Sequence, residues 1–139
     1  MVSYWLAKQE PDGPRGYPIT QLQRDGSTVW DGVHNNLALK HMRMMEPNDL
    51  IIYYHTGKER QAVGVMRVTS KPYANPEESN LRFIVVDVEF DHIFKKPVTL
   101  EQMKQRPEFE GWQMLRIGRL SVVPVPPLIW DIIISLSKE

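Results

Sequence analysis

Between Phe83 and His92 apolar and polar residues alternate: Ile84, Val86, Val88 and Phe90 point one way, Asp87, Glu89 and Asp91 the other. A period of two marks a half-buried strand in a curved antiparallel sheet. Four further segments read as strands from their β-branched and aromatic content. They are Ser3 to Lys8 (SYWLAK, stopped at Glu10-Pro11), Leu50 to His55 (LIIYYH), Ala62 to Thr69 (AVGVMRVT) and Leu120 to Val125 (LSVVPV). Helical spacing fills the intervals. Pro18 to Arg24 fits a short helix, with proline in its first turn and Gly26 to end it. Asn35 or Asn36 caps a helix to about Met45, placing Ala38, Met42 and Met45 on one face with Leu39 beside them. Asn36, Lys40 and Arg43 share another face of it. Thr99 with Gln102 makes a capping-box pattern for a helix near Leu100 to Gln105. Pro126-Pro127 opens a last helix to about Ser137, with Leu128, Ile132 and Leu136 on one stripe and Ile129 and Ile133 beside it. Thr28 to Val33 (TVWDGV) reads as a loop built around Trp30 and Gly32. This order predicts an α+β fold, a small mixed β-barrel flanked by helices.

Length and composition narrow the class. The chain has 139 residues, 42% hydrophobic and 24% charged, which is ordinary for one globular domain spanning residues 1–139. No stretch reaches the ~18 apolar residues of a membrane span. Lys8 and Glu10 interrupt the N-terminal segment, so it does not read as a signal peptide, and a cytoplasmic protein with no membrane partner is expected. The absence of cysteine excludes disulfides, Cys-ligated metals and a thiol nucleophile. Seventeen basic and seventeen acidic residues cancel. Any nucleic-acid role therefore rests on a local patch and a pocket, not on bulk charge.

No catalytic or cofactor motif emerges. His34, His41, His55 and His92 lack the spacings of a zinc site, and neither a nucleophile elbow nor a phosphate- or dinucleotide-binding glycine loop is present. His55 and Thr56 are adjacent on a strand and point to opposite faces. No metal and no cofactor is expected. The informative feature is a set of polar–aromatic junctions at strand ends: Lys8, Gln9 and Glu10; Trp30 and Asp31; Tyr54, His55 and Thr56; and Tyr73 after Pro72. Trp5, Trp112 and Trp130 read as packing residues. Trp30 lies on no periodic stripe and is either a ring platform or a plug over one barrel end. These groups suit a pocket for a flat heteroaromatic ring, stacked on an aromatic face and read along its edge by a group such as Asn35. Lys40, Arg43, Arg116 and Arg119 are candidates for phosphate contacts, with solvated surface charge as the alternative for each.

Six strings in order carry a resemblance: YWLAKQEP (4–11), VWDGVHN (29–35), DLIIYYHTG (49–57), VGVMRV (63–68), VVDVEF (85–90) and GRLSVVPV (118–125). Together they resemble the EVE domain across essentially the entire chain. The resemblance implies a PUA-like fold related to YTH and ASCH domains, and a modified base in DNA or RNA, chiefly modified cytosine in DNA, as the ligand. It also implies a pocket formed by Lys8, Gln9 and Glu10, by Trp30 and Asp31, by His34 and Asn35, by Tyr54, His55 and Thr56, and by Tyr73. Arg119, Leu120 and Ser121 match a family string of structural or functional role. His34 stands where the family string has arginine, which removes a permanent cation. Leu39 stands in the run NNLALK where a further arginine is usual, and Phe83 lies near a usual tryptophan.

Three functional classes follow. The first is a non-catalytic reader of a modified base. The second is a sensor of a free nucleobase, nucleoside or other small heteroaromatic ligand, favoured by the missing arginines. The third, an enzyme using His55 or Glu10 as general base, ranks last because no activated nucleophile or metal cluster accompanies them.

Overall fold

A computed structural model describes residues 2–139. Its centre is the first strand, β1 (Tyr4–Gln9), flanked by β3 (Leu50–His55) and β7 (Val122–Pro124). With β2 (Ser27–Trp30), β4 (Gln61–Val68) and β6 (Ile84–Thr99) these form one sheet in the order β2-β6-β4-β3-β1-β7, and β5 (Tyr73–Ala74) pairs with β6. The β1–β3 ladder is parallel and the others are antiparallel. Among the described residues five helices surround it: α1 (Ile19–Asp25), α2 (Asn36–Arg43), α3 (Leu100–Lys104), α4 (Gln113–Arg116) and α5 (Pro127–Leu136), with a 3-10 turn at Pro107–Phe109.

The sheet curls. Flat, four inter-strand spacings of about 4.8 Å would hold β6 and β7 about 19 Å apart. Yet the eight-residue helix α2 packs against both. Register shifts in the β4–β6 ladder supply the bend. Gly64 sits within that ladder, where a Cβ would overlap the Ile19 side chain and the His92 carbonyl, so glycine lets α1 lie directly on the sheet. Leu6, Ile51, Ile52, Tyr53, Met66 and Met42 are fully buried between these layers.

Local chemistry fixes the elements much as the pattern dictates. Ile84, Val86 and Val88 are buried while Asp87 and Glu89 are only half-buried. Asn35 caps α2, its side chain accepting from the Leu37 and Ala38 amides. Thr99 and Gln102 complete a reciprocal capping box. Gly26, at φ 83°, ends α1. Asp49, 2% exposed, accepts hydrogen bonds from Ser3 N (3.0 Å), Trp5 Nε1 (3.0 Å) and Glu46 N (2.9 Å), tying β1 to the turn before β3.

Three readings are corrected. Trp30 is not in a loop: it ends β2, opposite Val86 of β6. The strand begun near Phe83 continues beyond His92 to Thr99, because β4 pairs with it along that length. In α5 the buried residues are Ile129, Trp130 and Ile133, whereas Leu128 is exposed. Trp130 stacks on Tyr4 with centroids 4.3 Å apart, and that contact rotates the stripe. No helix among the described residues is long and apolar enough to cross a membrane.

Candidate functional site

The parallel register of β1 on β3 pairs Lys8 with Tyr54 and Gln9 with His55. Because successive side chains leave a strand on opposite faces, the sequence-predicted pocket divides in two. Gln9 opens on a cleft of about 250 Å³ whose walls include Arg15, Tyr17, Thr28, Trp30 and Asp31. Lys8, Tyr54 and Thr56 line a different cavity, of about 270 Å³.

In the first cleft Trp30 is 6% exposed and meets Tyr53 edge-to-face at 5.4 Å. The Tyr53 hydroxyl, pushed up strongly by burial, donates to the Tyr17 carbonyl. The Tyr17 hydroxyl donates to Asp25 Oδ2 at 2.7 Å, and Gln21 Nε2 donates to Asp25 Oδ1 at 2.9 Å. The Tyr17 bond, followed by that from Gln21, holds the Asp25 carboxyl below its ordinary value. Burial, then the bond to Asp25, raises the Tyr17 phenol. Glu10 O accepts from Tyr17 N at 2.8 Å, closing the loop that walls the cleft. Gln9 Oε1 accepts from Glu10 N at 2.9 Å, which orients its NH2 group as the available donor. Asp31 and Arg15 are exposed at the rim.

His55 supports this cleft and does not line it. It is 5% exposed, and its Nε2 lies 3.1 Å from the Ile19 amide, a group that only donates. Nε2 is therefore the acceptor, and Nδ1 carries the hydrogen that it donates to Glu59 Oε1 at 2.9 Å. The ring anchors the start of α1. Glu10 is exposed, its carboxylate accepting from Thr56 Oγ1 at 3.3 Å and packed against Gly57, where a Cβ would come within 2.7 Å of Glu10 Oε1.

The remaining candidates do not converge on the cleft. Asn35 Oδ1 is committed to the α2 cap, so the carbonyl expected to read a ring edge is occupied. His34 pairs with Glu78 at 3.3 Å and packs edge-on against Phe83, over which Arg82 also sits. Tyr73 pairs with Val85, the neighbour of Trp30's partner Val86, and so projects from the opposite face of β6. Its hydroxyl donates to Asp87 at 2.6 Å, which raises the phenol, so Tyr73 is not a wall of the Trp30 cleft. Lys40 is exposed on α2, and Arg43 donates to the Arg82 carbonyl at 2.9 Å. Arg116 ends α4 and lines a separate groove with Lys104 and Leu115, and Arg119 is exposed beyond it. Sequence reasoning missed Arg15, Tyr17 and Thr28. Nothing local to the run GPRGYP (13–18) says that Arg15 and Tyr17 come to line a cleft with Trp30.

A mixed sheet curled round its core, with a tryptophan-lined cleft beside the end of its first strand, defines a PUA-like α+β domain. The chain belongs to the EVE domain family, whose sequence profile matches residues 3–136. It is 26% identical to thymocyte nuclear protein 1 of Rattus norvegicus, over 99% of this chain and 75% of that protein. A Rhodopseudomonas palustris protein solved by NMR superposes with a TM-score of 0.90 at 31% identity, covering 98% of this chain and 93% of that one. Human THYN1, solved in complex with 5-methylcytosine-containing DNA, superposes with a TM-score of 0.86 at 25% identity, covering 99% of both chains. An ASCH protein of Zymomonas mobilis shares the fold alone, with a TM-score of 0.57 at 10% identity.

Proposed function

We propose that this protein is a non-catalytic reader that takes one modified base, a modified cytosine, out of a DNA strand into the cleft beside Trp30. The observation that carries the reading is the juxtaposition of Trp30 with the Gln9 amide and the Asp31 carboxylate around one concave site. An aromatic face supplies ~1–3 kcal/mol of stacking per base. A carboxylate accepts from the exocyclic amine of cytosine, and an amide NH2 donates to its ring nitrogen or carbonyl. Arg15 at the rim meets the flanking phosphate. The known complex of human THYN1 with 5-methylcytosine DNA favours the same ligand class. With a formal net charge of zero, affinity depends on the pocket more than on the backbone, so the salt slope is shallow.

The test is an anisotropy titration of labelled oligonucleotides that differ only in one cytosine, plain or 5-methylated, in single- and double-stranded DNA and in RNA. One methyl in an apolar slot is worth ~1–3 kcal/mol, about 5- to 150-fold. The methylated strand should bind tighter by that factor. Single-stranded DNA should bind better than duplex, because extruding a paired base costs a few kcal/mol. In a folded protein Trp30→Phe should erode the preference, and Asp31→Asn, which loses the contact to the amine both cytosines carry, should weaken both strands alike. Equal affinity for both cytosines sinks the proposal. Free 5-methylcytidine binding as tightly as the strand would make the protein a small-molecule sensor.

A further inference from the structure

The second cavity is not explained by a base reader confined to Trp30. It lies on the other face of β1, between the β3–β4 turn, α3 and α4, and encloses about 270 Å³. Its floor is apolar, with Tyr54, Leu100, Met114 and Leu115, its charged groups are the cations Lys8, Arg60 and Lys104, and Thr56 adds a hydroxyl that is given to Glu10. No carboxylate lines it. Arg60 and Lys104 are exposed, and neither they nor Lys8 form an ion pair among the described residues. The nearby acids are engaged or outside: Glu59 accepts from His55, Glu10 accepts from Thr56, and Glu101 lies on the adjoining groove.

Lys8 is the informative member. The residue is half-buried, and its ammonium donates to the Gly118 carbonyl at 3.1 Å. Burial depresses its proton affinity, as expected of a cation taken from water with no anion beside it. The wall opposite is rigidly placed. Leu100 N donates to Arg60 O at 2.9 Å, and Arg60 holds a left-handed backbone, φ 45°, to bring the turn against α3. Leu100 and Lys104, four residues apart on that helix, present one apolar and one cationic group to the same space.

We infer that this cavity is a second binding site, distinct from the Trp30 cleft, that takes a nucleotide unit with its phosphate on Lys8, Arg60 and Lys104 and its base on Tyr54, Leu100 and Leu115. The apolar floor is what selects a nucleotide over a bare anion. Inorganic phosphate would use the rim and leave the floor wet. The source is either a free mononucleotide or a neighbouring nucleotide of a bound strand.

Calorimetric titration of the full chain with cytidine 5′-monophosphate, cytidine and inorganic phosphate tests this, beside an unmodified oligonucleotide. The monophosphate should bind tighter than either fragment. Lys8→Met, which keeps the packed stem, and Lys104→Gln, on an exposed position, should each weaken it by roughly tenfold, the worth of one charge-assisted contact. Loss with the monophosphate marks a free-nucleotide site. Loss confined to the oligonucleotide, with its salt slope reduced by about 1 per cation removed, marks the neighbouring nucleotide of a strand. Unchanged binding of every ligand in both variants overturns the inference. Monophosphate binding that survives Trp30→Phe and falls in Lys8→Met and Lys104→Gln belongs to this cavity, whereas binding lost in Trp30→Phe and unchanged in the two lysine variants belongs to the base-reading cleft and overturns the inference.

Discussion

Replacing His55 separates its two hydrogen bonds and shows which one holds the fold. Glutamine can place an acceptor near the position of Nε2 and so retain the bond from the Ile19 amide. Asparagine reaches only as far as Nδ1, keeping a donor for Glu59 and abandoning Ile19. The two bonds differ in worth. Glu59 is 38% exposed, and a pair at that surface contributes ~0–1 kcal/mol. The Ile19 amide is buried beneath the ring, and an unsatisfied buried donor costs ~1–3 kcal/mol. His55→Asn should therefore be less stable than His55→Gln by about 2 kcal/mol. At this chain length a kcal/mol corresponds to about 3–4 °C in Tm, so the two melts should differ by about 6–8 °C. Thermal unfolding followed by circular dichroism reads this directly, and amide exchange at Ile19 should quicken in the asparagine variant alone. Equal destabilisation of both variants would refute the assignment of Nε2 as the structural acceptor. It would also reopen a chemical role for the ring.

Two further outcomes are expected. Asn35→Ala should cost about 1 kcal/mol through loss of the α2 cap, and Asn35→Ser should restore most of it in a urea titration; an alanine variant of wild-type stability would discount the cap. Asp25 has a folded-state pKa below its unfolded value, so its contribution is present above the ordinary aspartate range of ~3.9 and fades as pH falls through the lower folded value. The stability gap between wild type and Asp25→Asn should accordingly close on acidification through that window, and a gap that persists at the acid end contradicts the Tyr17–Asp25 account.

How much of this was legible depends on whether a residue's setting was local. The alternation in β6 and the Thr99 capping box are local, and the pattern gave both. Trp30 was misplaced because β2 is only four residues long and becomes a strand through its ladder to β6, some 56–62 positions away. Tyr73 was grouped with the pocket residues, and the side it takes is equally non-local, set by the two-residue ladder of β5 on β6. The site fared similarly. The junction Lys8-Gln9-Glu10 was readable, and the alternation argument used to part His55 from Thr56 applies equally to Lys8 and Gln9. What was not readable is that space lies on both sides of β1, since α3, α4 and the Gly118 turn come from the far end of the chain.

The position of β1 also sets an order of assembly. Its two ladder partners lie far apart in the chain, Leu50–His55 on one side and Val122–Pro124 on the other. As the polypeptide leaves the ribosome, β1 can dock on β3 once the β3–β4 hairpin exists, but its opposite edge stays open until the β7 segment emerges. An unpaired strand edge is a template for association with other chains. A nascent or truncated chain lacking Val122–Pro124 would expose the edge beside Trp5, Leu6 and Ala7, and that interval is where chaperone holding matters most for this protein.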